Sequence, residues 1–352
     1  MTRISELRKL MKKNGLDAML VSSFSNIYYY SSFSSEDGLL LITMDECYLL
    51  TDSRYTVQAS KECENYNIVI IEKSYSDSLK KIVNDKNIAN LGFEESISYS
   101  RYKVFSDKLG LNMVSLNLES LKIIKDEEEI KKIKKACSIA DKCYKHIIKF
   151  VKVGMSEIEV RNEMLRYMLE LGATKESFEI IVASGTRGAM PHGVASNKKI
   201  KNGDFVTLDF GCVNDFYCSD ITRTFVVGKP KKNMLEIYEI VKEAQQKGLD
   251  IIKPGIKAKD VDFVCRDYIE KMGYGEYFTH STGHGLGLLV HDVLAISPNS
   301  EVVLKEGMVF TVEPGIYVEG LGGVRIEDDV VVTESGCEVL TKSSKKLYKI
   351  NN

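Results

Sequence analysis

The chemistry available to this chain is concentrated in two nearly repeated stretches, KNGDFVTLDFG at 201–211 and KEGMVFTVEPG at 305–315. Lys, Gly, Thr and Gly recur in register, the apolar positions match in kind, and Asp209 falls where Glu313 stands in the second copy. A second acid follows each, Asp220 in SDITRTFVV (219–227) and Glu327 in VRIEDDVVV (324–332). Alternation of apolar and polar residues predicts a two-stranded hairpin in each case, with Asp209 facing Asp220 across the first. A lone acid at a strand end is usually a cap or turn residue. Four of them converging from two hairpins would repel strongly if buried, and most would have to be protonated. Two divalent cations neutralise all four. An oxygen-rich set suits Mn2+, and a single imidazole added to it still permits Co2+, Zn2+ or Fe2+.

The imidazole is expected from FTHSTGHGLGLLVHD (278–292), which holds His280, His284 and His291, three of the five histidines. His192 lies in SGTRGAMPHG (184–193), which pairs with the His291 segment in the repeat. His146 falls on a long helical pattern and reads as structural. Glycines around His284 let backbone lie close to a crowded site. GHGLG lacks the spacing and the following helix of a phosphate-binding loop. Cys212, Cys218 and Tyr317 read as packing residues.

These groups need elements to hold them. The stretch from 123 carries Ile130, Ile133, Cys137, Ala140, Tyr144 and Ile147 at steps of three and four, which predicts a long amphipathic helix capped by Asp126. VKVGMSEIEVRNEMLRYMLELG (151–172) aligns with IKPGIKAKDVDFVCRDYIEKMG (252–273), each a turn followed by a helix. Two copies are too few for a solenoid and fit two similar halves folding face to face around one shared sheet, with a site between them. Before residue 123, strand candidates at 17–23, 38–43, 47–51 and 66–72 interleave with helical patterns at 3–14, 53–63, 76–84 and 100–109, which predicts an α/β layer domain. The expected domains are therefore 1–122 and 123–352.

With 352 residues, 44% hydrophobic and 28% charged, the chain is long enough for two domains with buried cores. A net charge of −2 gives no bulk electrostatic reason to expect nucleic acid or an anionic membrane as partner. The first residues, MTRISELRKLMKKNG, lack the apolar stretch of a signal peptide, and no run of about 18 apolar residues offers a membrane span. Eight scattered cysteines without a CxxC pair suggest reduced thiols in a cytoplasm.

SGTRGAMPHG, DFG…YCSDITRTF, THSTGHGLGLLVHD, EPGIY and GVRIEDD, in this order and spacing, resemble the catalytic motifs of the Xaa-Pro aminopeptidase and prolidase family of dinuclear metallopeptidases. SNIYYYSSF and TDSRYTVQA resemble that family's first domain, so the likeness covers nearly the whole chain. It implies a creatinase-like, RNase H-like α/β N-terminal domain and an α+β "pita-bread" catalytic domain with internal pseudo-two-fold symmetry, shared with methionine aminopeptidase. Carried over residue by residue, it makes Asp209 a ligand of one metal, Asp220 and Glu327 bridging ligands, and His284 and Glu313 ligands of the second. Glu313 would also move the proton of the attacking water, while His192 and His291 would contact the scissile carbonyl and the leaving imino acid. His280 and Arg325 match positions that line the substrate site or support its ligands. The implied substrates are small peptides with proline second, and the implied assembly is a homodimer.

Three departures stand out. Leu289-Val290-His291-Asp292-Val293-Leu294 lacks the glutamate that many members place before this histidine and the Glu-x-Pro that they place after it. Phe216 replaces a common glycine, and Leu294 and Ala295 stand where dipeptidases of the family commonly place a basic residue for the substrate carboxylate. The neutral pair favours an Xaa-Pro aminopeptidase acting on longer peptides over an Xaa-Pro dipeptidase. A creatinase-like hydrolase is disfavoured by the full ligand set. A non-catalytic binding module of the same fold is the remaining alternative, and such modules generally lose ligands.

Overall fold

In the computed structural model, which describes residues 3–350, the sequence repeat becomes a structural one. The chain divides into two units, Met1–Lys122 and Ile123–Asn352.

In the first unit, β1 (Ala18–Val21), β2 (Gly38–Thr43), β3 (Cys47–Thr51), β4 (Asn67–Ile70), β5 (Asn90–Glu94) and β6 (Asn112–Leu116) form one sheet in the order β4-β3-β2-β1-β5-β6. β1–β2 and β2–β3 are antiparallel and the other pairs parallel. The first four strands lie within the apolar runs that the sequence shows. β5 and β6 were not expected, because NLGFE and NMVSL break the apolar run with Gly, Asn and Ser. Leu20, Leu39, Leu41, Leu50, Leu79 and Phe105 form the core beside the sheet.

The second unit begins with the helix Glu127–Phe150, capped by Asp126 through a capping box with Glu129. Ile133, Cys137, Ala140, Tyr144 and Ile147 are buried along one face of it. The helix Glu157–Glu170 follows. Next come β7 (Lys175–Glu176), β8 (Ile181–Ser184), β9 (Phe205–Phe210), β10 (Cys212–Asn214), β11 (Tyr217–Cys218) and β12 (Ile221–Val227). The helix pair Lys232–Ile251 and Ala258–Lys271 then repeats the arrangement. It leads to β13 (Gly283–Gly285), β14 (Asp292–Ile296), β15 (Val309–Val312), β16 (Gly315–Val318), β17 (Gly322–Arg325), β18 (Asp328–Val332), β19 (Cys337–Val339) and β20 (Lys349–Ile350).

The antiparallel set β8-β9-β12 of the first half therefore matches β13-β15-β18 of the second. The two sets belong to separate sheets, β20-β12-β9-β8 and β14-β13-β15-β18-β19, rather than the one shared sheet expected, because no ladder among the described residues pairs a strand of one set with a strand of the other. The helix N-caps correspond too, since Ser156 bridges Lys199 as Lys257 bridges Val303. The shared KxG turns have a backbone reason. Gly203 (φ 90°) and Gly307 (φ 82°) sit in the left-handed region and donate to Val227 O and Val332 O, the far ends of β12 and β18. Each half has its own apolar layer, one with Leu208, Phe210, Phe225 and Met164, the other with Phe310, Val312, Val330 and Val261.

Candidate metal centre

Asp209, near the end of β9, is opposed by Thr222, with Phe210 opposite Ile221. The expected Asp209–Asp220 pair is thus corrected. Asp220 precedes β12, one pleat along on the same face, because the ladder closes at Ile221 and Ser219 N–H bonds Cys212 O instead. The second hairpin differs from a simple two-strand reading as well. It runs as two ladders in one register, Val312 opposite Asp328 and Gly315 opposite Arg325, and breaks between them. That break holds Glu313 and Glu327.

All nine residues singled out from the sequence line one cavity of about 520 Å³: His192, Asp209, Asp220, His280, His284, His291, Glu313, Arg325 and Glu327. The tightest group joins Asp220, His284 and Glu327, whose donor atoms lie within 4.8 Å of one another. His284 Nε2 is 3.6 Å from Asp220 Oδ2 and 3.3 Å from Glu313 Oε1. Its Nδ1 faces Gly285 O at 3.1 Å, so Nδ1 carries the proton and Nε2 offers its lone pair to the acids. Burial keeps the ring neutral by lowering its pKa, as it does for His291.

Burial and mutual repulsion raise the pKa values of Asp220, Glu313 and Glu327. Burial, then Glu327 and Asp209, push Asp220 well above the usual carboxylate range. Burial, then Glu313 and Asp209, do the same to Glu327. Glu313 is pushed up to about 8, chiefly by burial. Asp209 Oδ1, Asp220 Oδ1 and Glu327 Oε1 are buried without a hydrogen-bond partner. Three orphaned oxygens beside an unprotonated imidazole nitrogen are the donor set that a hard or borderline divalent cation completes, so these residues fit a metal centre.

The surrounding side chains aim the acids. Thr222 Oγ1 donates to Glu327 Oε2 at 2.6 Å, and Thr311 Oγ1 to Glu313 Oε1 at 2.9 Å. Asp329 Oδ2 accepts the Asp220 backbone N–H at 2.9 Å. Arg325 grips three partners: Asp209 Oδ2 at 2.5 Å, Thr222 Oγ1 at 3.1 Å and Tyr317 Oη at 2.7 Å. Tyr317 Oη also lies 2.9 Å from His280 Nε2. His280 Nδ1 faces Ser281 O at 2.8 Å, and burial lowers the ring's pKa to about 4, so the neutral ring accepts the tyrosine proton at Nε2. Tyr317 is therefore part of the site rather than sheet packing. Gly315, the glycine of EPG, makes room for it, since a Cβ there would lie 2.3 Å from Oη. The available signal was strand parity: Tyr317 follows Glu313 by four residues in a hairpin. Gly283 fills a similar need, as a Cβ there would fall 1.9 Å from Thr311 O.

His146, expected to be structural, pairs with Glu163 and stacks on Tyr167. Cys212 and Cys218 are buried packing residues.

The sequence profile described as "Metallopeptidase family M24" matches residues 131–334, and that of the "Creatinase/Prolidase N-terminal domain" matches residues 3–122. The chain belongs to metallopeptidase family M24. An Xaa-Pro dipeptidase of Pyrococcus furiosus is 42% identical over 98% of this chain and 99% of its own. The solved structure of an Xaa-Pro dipeptidase from Bacillus anthracis is 46% identical, covers 99% of both chains and superposes with a TM-score of 0.97. That of an X-Pro aminopeptidase from Thermotoga maritima is 40% identical, covers 96% of this chain and 98% of its own, and gives 0.91. The creatinase-type N-terminal domain and the pita-bread catalytic fold expected for this M24 peptidase are borne out.

Proposed function

We propose that this M24 peptidase hydrolyses the bond between an N-terminal residue and a proline in second position. The observation that carries the reading is the convergence of all nine candidate residues on one cavity whose carboxylates are buried and incompletely bonded. Two divalent ions, most consistent with Mn2+ for four carboxylates and one imidazole, would be held by Asp209, Asp220, His284, Glu313 and Glu327, and would supply Lewis-acid activation of water and of the scissile carbonyl.

The chain's own groups do the rest. Glu313 takes the proton of the attacking water on its carboxylate and delivers it to the nitrogen of proline as the C–N bond breaks. His192 and His291 reach the cavity from the two halves and orient the scissile carbonyl as negative charge builds on its oxygen. Arg325, anchored by Tyr317 and Thr222, keeps Asp209 aimed. Proline suits such a site because a bond to its nitrogen lacks the N–H that extended-backbone recognition uses.

For substrate length, the cavity favours peptides longer than a dipeptide. Arg325 is the one lysine or arginine among its lining residues and is already committed, Ala295 is neutral, and Glu179 adds negative charge. A free carboxylate directly after proline therefore finds no uncommitted lysine or arginine among the lining residues. Dipeptide hydrolysis is the second reading, favoured by the relatives called Xaa-Pro dipeptidases. The family and the intact acid set favour catalysis over a binding module. All eight cysteines are free, which suits a reducing cytoplasm, and no helix among the described residues is long and apolar enough to cross a membrane. A homodimer is our reading for the assembly, with sedimentation as its check.

Metal-reconstituted protein assayed on Xaa-Pro dipeptides, Xaa-Pro tripeptides and matched Xaa-Ala peptides tests the proposal. Selective cleavage before proline supports it, and equal cleavage of the alanine series overturns it.

A further inference from the structure

Lys125 is a cation sealed within the second unit, its side chain 2% exposed, with Nζ 2.7 Å from Oδ2 of Asp292, itself 6% exposed. Its backbone is pinned where Lys125 N–H donates to Gly307 O at 2.8 Å and Ile124 bridges Met308. The other carboxylate oxygen of Asp292 accepts Val293 N–H at 2.8 Å. The lysine stem passes over Gly287, where a Cβ would lie 3.0 Å from Lys125 Cε and 3.3 Å from Asp292 Oδ2. The contact is thus built from three separate segments, and a side chain at the loop glycine would press on both partners.

An ion pair this buried is a poor source of stability, because desolvating both charges offsets most of their attraction and an apolar pair of equal volume often does as well. What it supplies is a fixed point. Asp292 directly follows His291, whose ring meets that of His284 edge-on at 4.3 Å between centroids. Among the described residues the His291 ring makes no hydrogen bond, so its backbone must set its place. The loop 286–291 leading to it is held at its start by Leu286 N–H to Val309 O and by Cys218 N–H to Gly287 O. At its end the anchor is Asp292.

We infer that Lys125, through Asp292, is a positioning residue that holds His291 at the substrate cavity. The inference rests on the reading in which His291 contacts the scissile carbonyl, so the experiment must separate the two. The measurement is a double-mutant cycle of Lys125→Met and His291→Ala on kcat and KM for an Xaa-Pro tripeptide, with bound metal and Tm recorded for each protein. Lys125→Met alone is expected to lower kcat roughly tenfold or more, since small misplacements of an orienting group are costly, with KM and metal content little changed. Lys125→Arg restores most of the rate. In the His291→Ala background, Lys125→Met costs less than about twofold further, which is what acting through His291 requires.

A loss that is equal in both backgrounds, or no loss at all, overturns the inference. A His291→Ala enzyme with unchanged kcat refutes instead the role given to His291. Should Lys125→Met fail to fold because it strands a buried carboxylate, Lys125→Met/Asp292→Leu removes both charges. That double variant is expected to fold and show the same loss of kcat, and an unchanged kcat in it overturns the inference equally.

Discussion

Glu313 and Glu327 stand opposite each other at the break between the two ladders of the second hairpin, in the same register that pairs Val312 with Asp328 and Gly315 with Arg325. Backbone that bonded its neighbours at this point would hold both side chains at ladder spacing. The break lets them turn into the cavity, where Thr311 and Thr222 each satisfy one oxygen. Like charges directly opposite in a sheet destabilise it, so the pair must be relieved by protons or by cations.

The metal-free protein should lose stability as pH rises from about 6.5 to 8. Glu313 and Asp329 are each pushed up to about 8, mainly by burial, and Asp220 and Glu327 are raised well above their ordinary values. An acid with a raised folded-state pKa contributes fully below its unfolded value near 4 and loses that contribution as pH climbs through the folded one. His280, His284 and His291, whose pKa values partial burial lowers, act in the opposite sense, but only below about 6.5. The limit is roughly 1.4 kcal/mol per pH unit per group. Chelated protein should therefore melt several degrees lower at pH 8 than at pH 6.5, and saturating Mn2+ should remove the difference. A flat or rising Tm in the chelated sample contradicts this.

Tyr317→Phe removes a hydroxyl shared by Arg325 and His280 and leaves both polar partners buried. A loss of about 1–3 kcal/mol in unfolding free energy is expected, with a fall in kcat as Arg325 releases Asp209. Urea melts and steady-state assays check it. Unchanged stability would mean that the hydroxyl is only packing.

Ala295→Arg places a cation in a cavity whose own arginine is committed. The ratio of dipeptide to tripeptide kcat/KM should rise roughly tenfold, about 1.4 kcal/mol of new carboxylate recognition. A ratio that stays put would show that dipeptide carboxylates are met elsewhere.

Phe216→Gly should stabilise the fold by about 1 kcal/mol. Asp215 (φ 49°) and Phe216 (φ 69°) form the two-residue loop that joins Asn214 to its partner Tyr217, and both are left-handed. That turn favours Asn-Gly, and a bulky side chain in this conformation costs about 1–2 kcal/mol. The departure from glycine that the sequence shows thus lies in a strained turn and not among the residues that line the cavity. A lower Tm for the glycine variant would show that the ring's contacts outweigh the strain.

How far the sequence could be read depended on whether a residue's place followed from local pattern. The acids stood out because two halves repeat them in register, and the long helix because Asp126 and its apolar spacing mark it. Thr222 and Tyr317 did not, since a hydroxyl takes part only through cross-strand register. That register also put Thr222, not Asp220, opposite Asp209. Lys125 was invisible for the same reason: its partner lies 167 residues away.

The most direct test of the central claim is metal stoichiometry read together with rate. Protein stripped by chelation and titrated with Mn2+ should bind two ions per chain and regain activity as they fill, while Asp220→Ala, lacking an acid of the Asp220–His284–Glu327 group, should lose both an ion and the rate. Full peptidase activity in stripped protein, or an Asp220→Ala enzyme as fast as the parent, would contradict the account.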